Sequence, residues 1–202
     1  CQLLQLDDMP LLPDHLKITD IPKMENAEVA DLMARFEPLV KHFNRYLTIG
    51  GFPELALSDD DLYAQRMLRE DVVDKVIKRD VLTLFKVRSP LLMEKLFLYL
   101  CMNSTEIFSA TTAAKELDNI SPNTIESYVD ALVKSNLIYM AYPIAVGSKS
   151  VLKGRPKIYI ADAAIRNAVL MVDDVLSDER ELGLLIETTV YKHLVSFYRG
   201  TG

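Results

Sequence analysis

The run from Tyr46 to Glu54 holds two glycines, an aromatic, a proline and a carboxylate in an order that helix or strand patterning does not produce. Gly50 and Gly51 permit backbone angles or close approaches that a Cβ would block, and Pro53 fixes φ and removes a donor. The segment reads as a rigid elbow between helices, of a kind that can hold a flat ligand. Gly-Gly followed by Pro is also how an ordinary helix stops, and spacing alone leaves both readings open.

Other chemistry-bearing residues are more widely scattered. Ser58 with Asp59, Asp60 and Asp61 forms a carboxylate cluster of the type that binds hard cations, but no His, Cys or second acidic group is paired with it. Three acids ahead of a helix serve more simply as a cap and as a complement to its dipole. His15, His42 and His193 lie far apart without i, i+4 partners, which gives little support to a metal centre or a triad. Glu187 is a single acid on an amphipathic helix, and no catalysis is assigned to it. Arg66, Arg69 and Arg79 belong to the type that senses a γ-phosphate, although solvated helix faces account for them as well.

Phosphate chemistry is incomplete in this chain. Gly147, Ser148, Lys149 and Ser150 imitate the end of a P-loop, but a serine separates glycine from lysine and strands are expected on both sides. Neither a phosphate cradle nor a magnesium-binding acid is evident, so the chain is expected not to hydrolyse ATP by itself. Lys149, Lys153, Arg155 and Lys157 are four cations with no acid between them, enough to clamp a nucleic-acid backbone. A solvated loop, or a dock for the acidic stretch 173–181, is the simpler account of them. The helix expected from Ser121 presents Asn123, Thr124, Glu126, Ser127, Asp130 and Lys134, and two acids against one base would repel phosphate.

The elements that must position these residues follow from hydrophobic spacing. Residues 1–27, interrupted by Pro10, Pro13 and Pro22, read as an extended N-terminal segment. A helical pattern from Ala27 to Tyr46 is kinked or divided at Pro38, and a long helix is predicted from Leu62 to Phe85. Ser89-Pro90 ends it. Helices are then predicted over Leu91 to Cys101, over Thr111 to Leu117 and from Ser121, with Ile125, Tyr128, Val129 and Leu132 on one face. Strands from Leu137 to Ile144 and from Lys157 to Ala161 complete the order of a winged helix. A small helix from Asp162 to Val172 and an amphipathic one from Glu181 to Tyr198 close the chain. The expected fold is mainly α with a small β ribbon, divided as 1–27, a lid-like helical bundle over 28–88, a winged helix over 89–162, and a helical start of a further domain over 163–202.

At 202 residues, half of them hydrophobic, and with a mean hydropathy of +0.10, the chain can bury a genuine core. No apolar run approaches the ~20 residues needed to span a bilayer. A net charge of −6 argues against a surface given over wholly to nucleic acid. The cysteines, Cys1 and Cys101, are few, and Cys101 sits in an apolar run, which fits a reducing cytoplasm. A first residue other than Met, followed at once by Leu3 and Leu4, suggests a piece of a longer protein rather than a lipid-anchored one.

Gly51-Phe52-Pro53, together with Lys78 to Asp80, Phe108-Ser109, Ser121 to Leu132, Lys157 to Asp162 and Gly183 to Leu194, resembles the C-terminal part of bacterial and archaeal AAA-type ATPases, STAND-like in their helical lid. The resemblance implies ATP or ADP bound by the complete protein, with Pro53 against adenine, Gly50 and Gly51 allowing its approach, and an upstream P-loop domain as partner. It also matches Gly183, Glu187 and Val190 to the opening of a nuclease-like domain whose remainder is missing, so the last helix is expected to pack on the winged helix or on a neighbouring molecule, with more self-association than a complete protein would show. A regulatory lid-plus-winged-helix unit is the resulting expectation. The alternatives are a winged-helix DNA-binding or transcription-regulating module and a protein-interaction module.

Overall fold

Pro38 divides the first helical stretch, as its ring and missing N–H require. In a computed structural model of the chain, α1 (Asn26–Phe36) passes through a 3-10 turn, Glu37–Leu39, into α2 (Val40–Ile49). The structure describes residue 10 and residues 16–85, 87–143, 154–172 and 174–199. Ahead of α1 the chain is not simply extended: Ile18–Lys23 is a 3-10 turn, fixed where the Lys17 N–H donates to the Asp20 carboxylate at 3.1 Å.

Pro53 opens α3 (Pro53–Ala56), a position where its lacking donor costs no helix bond. Asp60 caps α4 (Asp61–Arg69), accepting the Tyr63 N–H at 2.9 Å. The acidic cluster is thus spent as a cap, with Asp61 lying 3.5 Å from Arg45. The helix continues through a π-helical stretch, Glu70–Val81, into α5 (Leu82–Leu84), so the long helix read from the sequence is wound more widely in its middle.

Ser89 and Ser109 cap α6 (Pro90–Met102) and α7 (Ala110–Glu116), their hydroxyls accepting the Leu92 and Thr112 N–H groups. Ser121 stands at the N-cap of α8 (Pro122–Lys134), but its hydroxyl makes no capping bond; the Thr124 N–H donates to its carbonyl at 2.9 Å instead. β1 (Ile138–Ala141) and β2 (Lys157–Ile160) pair antiparallel, Ile138 opposite Ile160 and Ala141 opposite Lys157. Residues 105–108 run along β2 as well, the Thr105 N–H donating to Ile158 and the Phe108 N–H to Pro156. The far end of the first predicted strand, and residues 144–153, lie outside the described residues. The architecture is therefore mainly helical with a small two-stranded antiparallel sheet.

α9 (Ala163–Leu170) and α10 (Glu179–Arg199) complete the chain. One buried cluster joins Leu68, Ile77 and Val81 to Leu96, Phe97, Ile125 and Leu132, and onward to Ile138, Ile160 and Val169. It runs through residues on both sides of 88/89 and 162/163, because α9 packs on α4 and α6 and β2 packs on α6. A second cluster of Leu47, Ala163, Val175 and Leu185 fastens α10 to α2 and α9. Among the described residues no helix is long and apolar enough to cross a membrane.

Candidate functional site

The glycine elbow is a joint filled by the protein's own side chains. α2 ends at Gly50, whose backbone lies at φ 75° and ψ −171°, a region essentially restricted to glycine. A Cβ there would come within 2.8 Å of the Asp162 Oδ1 and 2.9 Å of the Ala164 Cβ. One on Gly51 would stand 2.9 Å from the Tyr46 ring. Both glycines thus have a reason internal to the chain: they admit the start of α9 and the ring of Tyr46. Pro53 is exposed at the first position of α3, and Phe52 packs toward the core beside it.

Asp162 is the centre of this joint. Buried at the N-cap of α9, it accepts the Ala164 N–H at 2.9 Å, and its second oxygen holds the Lys192 ammonium from α10. Lys192 also donates to the Tyr46 hydroxyl at 3.1 Å and lies 5.6 Å from the centre of that ring. Burial works against its charge, but Asp162 and Tyr46 together hold its pKa above the ordinary lysine value. Farther along α9, Arg166 donates through Nε to the Cys101 carbonyl at 3.0 Å and grips Glu181 with both terminal nitrogens, at 2.7 and 3.2 Å. Asn167 closes the end of α2 by donating to the Leu47 and Thr48 carbonyls at 2.9 and 3.2 Å. Every charged group here is spent on another, so the joint is built to hold helices together. The Cys101 thiol, wholly buried, is pushed well above its ordinary pKa by that burial and is no nucleophile.

A second site opens beside the β ribbon. A groove of about 670 Å³ runs between the start of α7, the middle and end of α8 and the β ribbon, with Phe108, Tyr139 and Tyr142 among its apolar residues and Glu126, Asp130 and Arg155 among its polar ones. Lys134, the one base on this helix, is tied to Asp130 at 2.6 Å. Of the four cations considered for a nucleic-acid backbone, Lys149 and Lys153 lie outside the described residues, Arg155 lines the groove, and Lys157 donates to Glu187 at 2.8 Å. Glu187 also accepts the Tyr159 hydroxyl at 2.8 Å. Held first by the Lys157 hydrogen bond, against the opposing effect of burial, its carboxyl lies below the ordinary glutamate range. Tyr191, one turn further, stacks on Tyr159 with ring centres 3.9 Å apart, so α10 lies across the ribbon.

The arginines considered for phosphate do not converge. Arg66 and Arg69 line one small cavity, with Arg69 directed at the Val169 carbonyl, while Arg79 pairs with its neighbour Asp80. Among the described residues no group of His, Cys, Asp and Glu is arranged to hold a metal ion. Sequence reasoning passed over Asp162, Arg166, Asn167 and Lys192 as functional residues. The available signal was Arg166 and Asn167 standing side by side in the otherwise apolar α9.

The chain belongs to the family of the domain of unknown function DUF8612, which matches residues 40–176. Two proteins of Methanocaldococcus jannaschii are similar to it. Uncharacterized protein MJ1544 is 24% identical over 185 residues, 89% of this chain and 40% of that protein. Uncharacterized protein MJ1637 is 30% identical over 167 residues, 81% of this chain and 34% of that protein. The chain thus spans well under half the length of these curated relatives. No solved structure matches. Nothing in these matches points to an AAA or STAND ATPase, and this overturns the resemblance read from Gly51-Phe52-Pro53. Short motifs of glycine and proline recur wherever a helix stops against a neighbour, and the contacts of Gly50 and Gly51 with Asp162 and Tyr46 are of that kind.

Proposed function

We propose that the chain is a binding module of a longer protein, in which α6, residues 105–108, α7, α8 and the ribbon act as a winged helix that docks a protein segment. Its chief support is the groove beside α8, where exposed aromatic surface adjoins two carboxylates. A major-groove reader needs cations on the helix that enters the groove. α8 offers Glu126 and Asp130 there, and Lys134 is neutralised by Asp130. A short segment of apolar residues flanked by lysine or arginine suits this lining, its side chains on Tyr139 and Tyr142 and its charge toward Glu126.

Backbone amide shifts of the labelled chain, followed by NMR during titration with a Leu- and Arg-rich synthetic peptide, test this reading. Shifts are expected at Glu126, Asp130, Tyr139 and Tyr142, and are expected to weaken in Glu126→Ala/Asp130→Ala. The parallel titration uses a duplex DNA at low salt. Shifts of α8 with DNA that vanish steeply with added salt, and that depend on Lys149, Lys153 and Arg155 together, would replace protein docking with backbone clamping.

A further inference from the structure

We infer that α10 is a self-association helix, pairing antiparallel with α10 of a second copy about a two-fold axis close to Val190. Its inner face is committed: Leu185 is buried, and Lys192 and Tyr191 hold it to Asp162 and Tyr159. Its outer face carries Ile186, Val190, Leu194 and Phe197, between 37% and 66% exposed. These lie three or four residues apart and so form one stripe along the helix.

Gly183 supplies the independent observation. It lies within α10, where glycine weakens a helix relative to alanine, yet among the described residues no packing neighbour comes within 4 Å of where its Cβ would be. None of the described residues therefore needs the smallness of this residue, and it continues the exposed stripe seven residues before Val190. Phe197 stands the same seven residues after Val190. A two-fold axis at Val190 with antiparallel helices consequently lays Phe197 of one copy over Gly183 of the other, and does so twice. The same operation sets Ile186 against Leu194 of the second copy, so apolar surface meets apolar surface along the contact. A parallel pairing would instead set Phe197 against Phe197 and leave Gly183 facing an empty position. The second copy, in antiparallel sense, is the occupant this face fits.

Sedimentation equilibrium of the 202-residue chain across a concentration series is expected to give a reversible monomer–dimer equilibrium. Val190→Glu, which places two carboxylates at the axis of an exposed site, is expected to raise the dissociation constant by roughly tenfold or more. Orientation is tested separately in a Cys1→Ser background. Mixed Gly183→Cys and Phe197→Cys proteins are expected to form a covalent heterodimer on mild oxidation, while each alone forms little. A chain that stays monomeric at every concentration overturns the inference. So does a dimer that is indifferent to Val190→Glu, or cross-linking of Gly183→Cys to itself in preference to the mixture, which would report parallel pairing.

Discussion

Lys192 reaches from α10 to the buried carboxylate of Asp162, the residue that caps α9 and lies against Gly50 at the end of α2. Elements separated by more than a hundred residues of chain thereby meet at one side chain. Asp162→Ala removes a helix cap, worth about 1 kcal/mol, and leaves a half-buried ammonium without its counter-ion, for a total of about 2–3 kcal/mol. Asp162→Asn keeps most of the cap and is expected to cost less. Urea unfolding of the two variants gives this order, and equal losses would assign the whole effect to the ion pair.

Gly50→Ala is expected to destabilise the chain by about 3 kcal/mol, combining a backbone region closed to alanine with overpacking. The added methyl would meet the Asp162 carboxylate and the Ala164 methyl, neither of which is free to move. Gly51→Ala meets only the edge of the Tyr46 ring, which can turn aside, and is expected to cost about 1 kcal/mol or less. Thermal melts of the pair measure the difference; a Gly50→Ala melt like that of the parent chain would show that α9 does not bear on the elbow.

Much of the secondary structure was legible because capping and breaking are local. Pro38, Pro53, Asp60 and Ser89 each act on their own backbone neighbours, and the helices begin and end near them. The buried face of α8, with Ile125, Tyr128, Val129 and Leu132, was readable for the same reason. What the elbow packs against was not legible, because Asp162 and Ala164 lie far along the chain and no local rule brings them to Gly50. The same holds for Glu187, which reads as a solvated acid until β2 brings Lys157 and Tyr159 to it. Residue types sufficed to mark Gly50 and Gly51 as constrained, but not to tell a neighbouring helix from a ligand.

Glu187 makes the docking of α10 on the ribbon sensitive to acid. Its carboxyl is held below the ordinary value of 4.5 chiefly by the Lys157 hydrogen bond, with burial opposing and the Tyr159 hydroxyl assisting. A group whose folded pKa is lowered contributes stability that is fully present above its unfolded pKa and lost as pH falls through the folded one. The parent chain is therefore expected to lose its advantage over Glu187→Gln as pH drops below the ordinary glutamate value. Both Lys157 and Glu187 are almost half exposed, so the effect is small and shrinks with added salt. Urea unfolding of the two proteins from about pH 6 to about pH 3 tests it. A gap that stays constant over that range would mean that the ion pair adds nothing.

Arg166 and Glu181 present the opposite case, a pair whose arginine is almost entirely withdrawn from water. The guanidinium is satisfied on three nitrogens, by the Cys101 carbonyl and by both oxygens of Glu181, and so ties α9 to α6 and to the first turn of α10. Removing one partner of such a pair strands the other, whereas replacing both by apolar groups of similar volume is far less costly. Glu181→Leu is expected to cost about 2–3 kcal/mol, below the upper range for buried pairs because Glu181 itself is partly solvated. Arg166→Met is expected to cost about as much, since it also leaves the Cys101 carbonyl without its donor. The double variant Arg166→Met/Glu181→Leu is expected to recover part of the sum, giving a coupling of about 1–2 kcal/mol. Strict additivity in urea unfolding would show that Arg166 is held by the Cys101 carbonyl alone and that α10 docks without it.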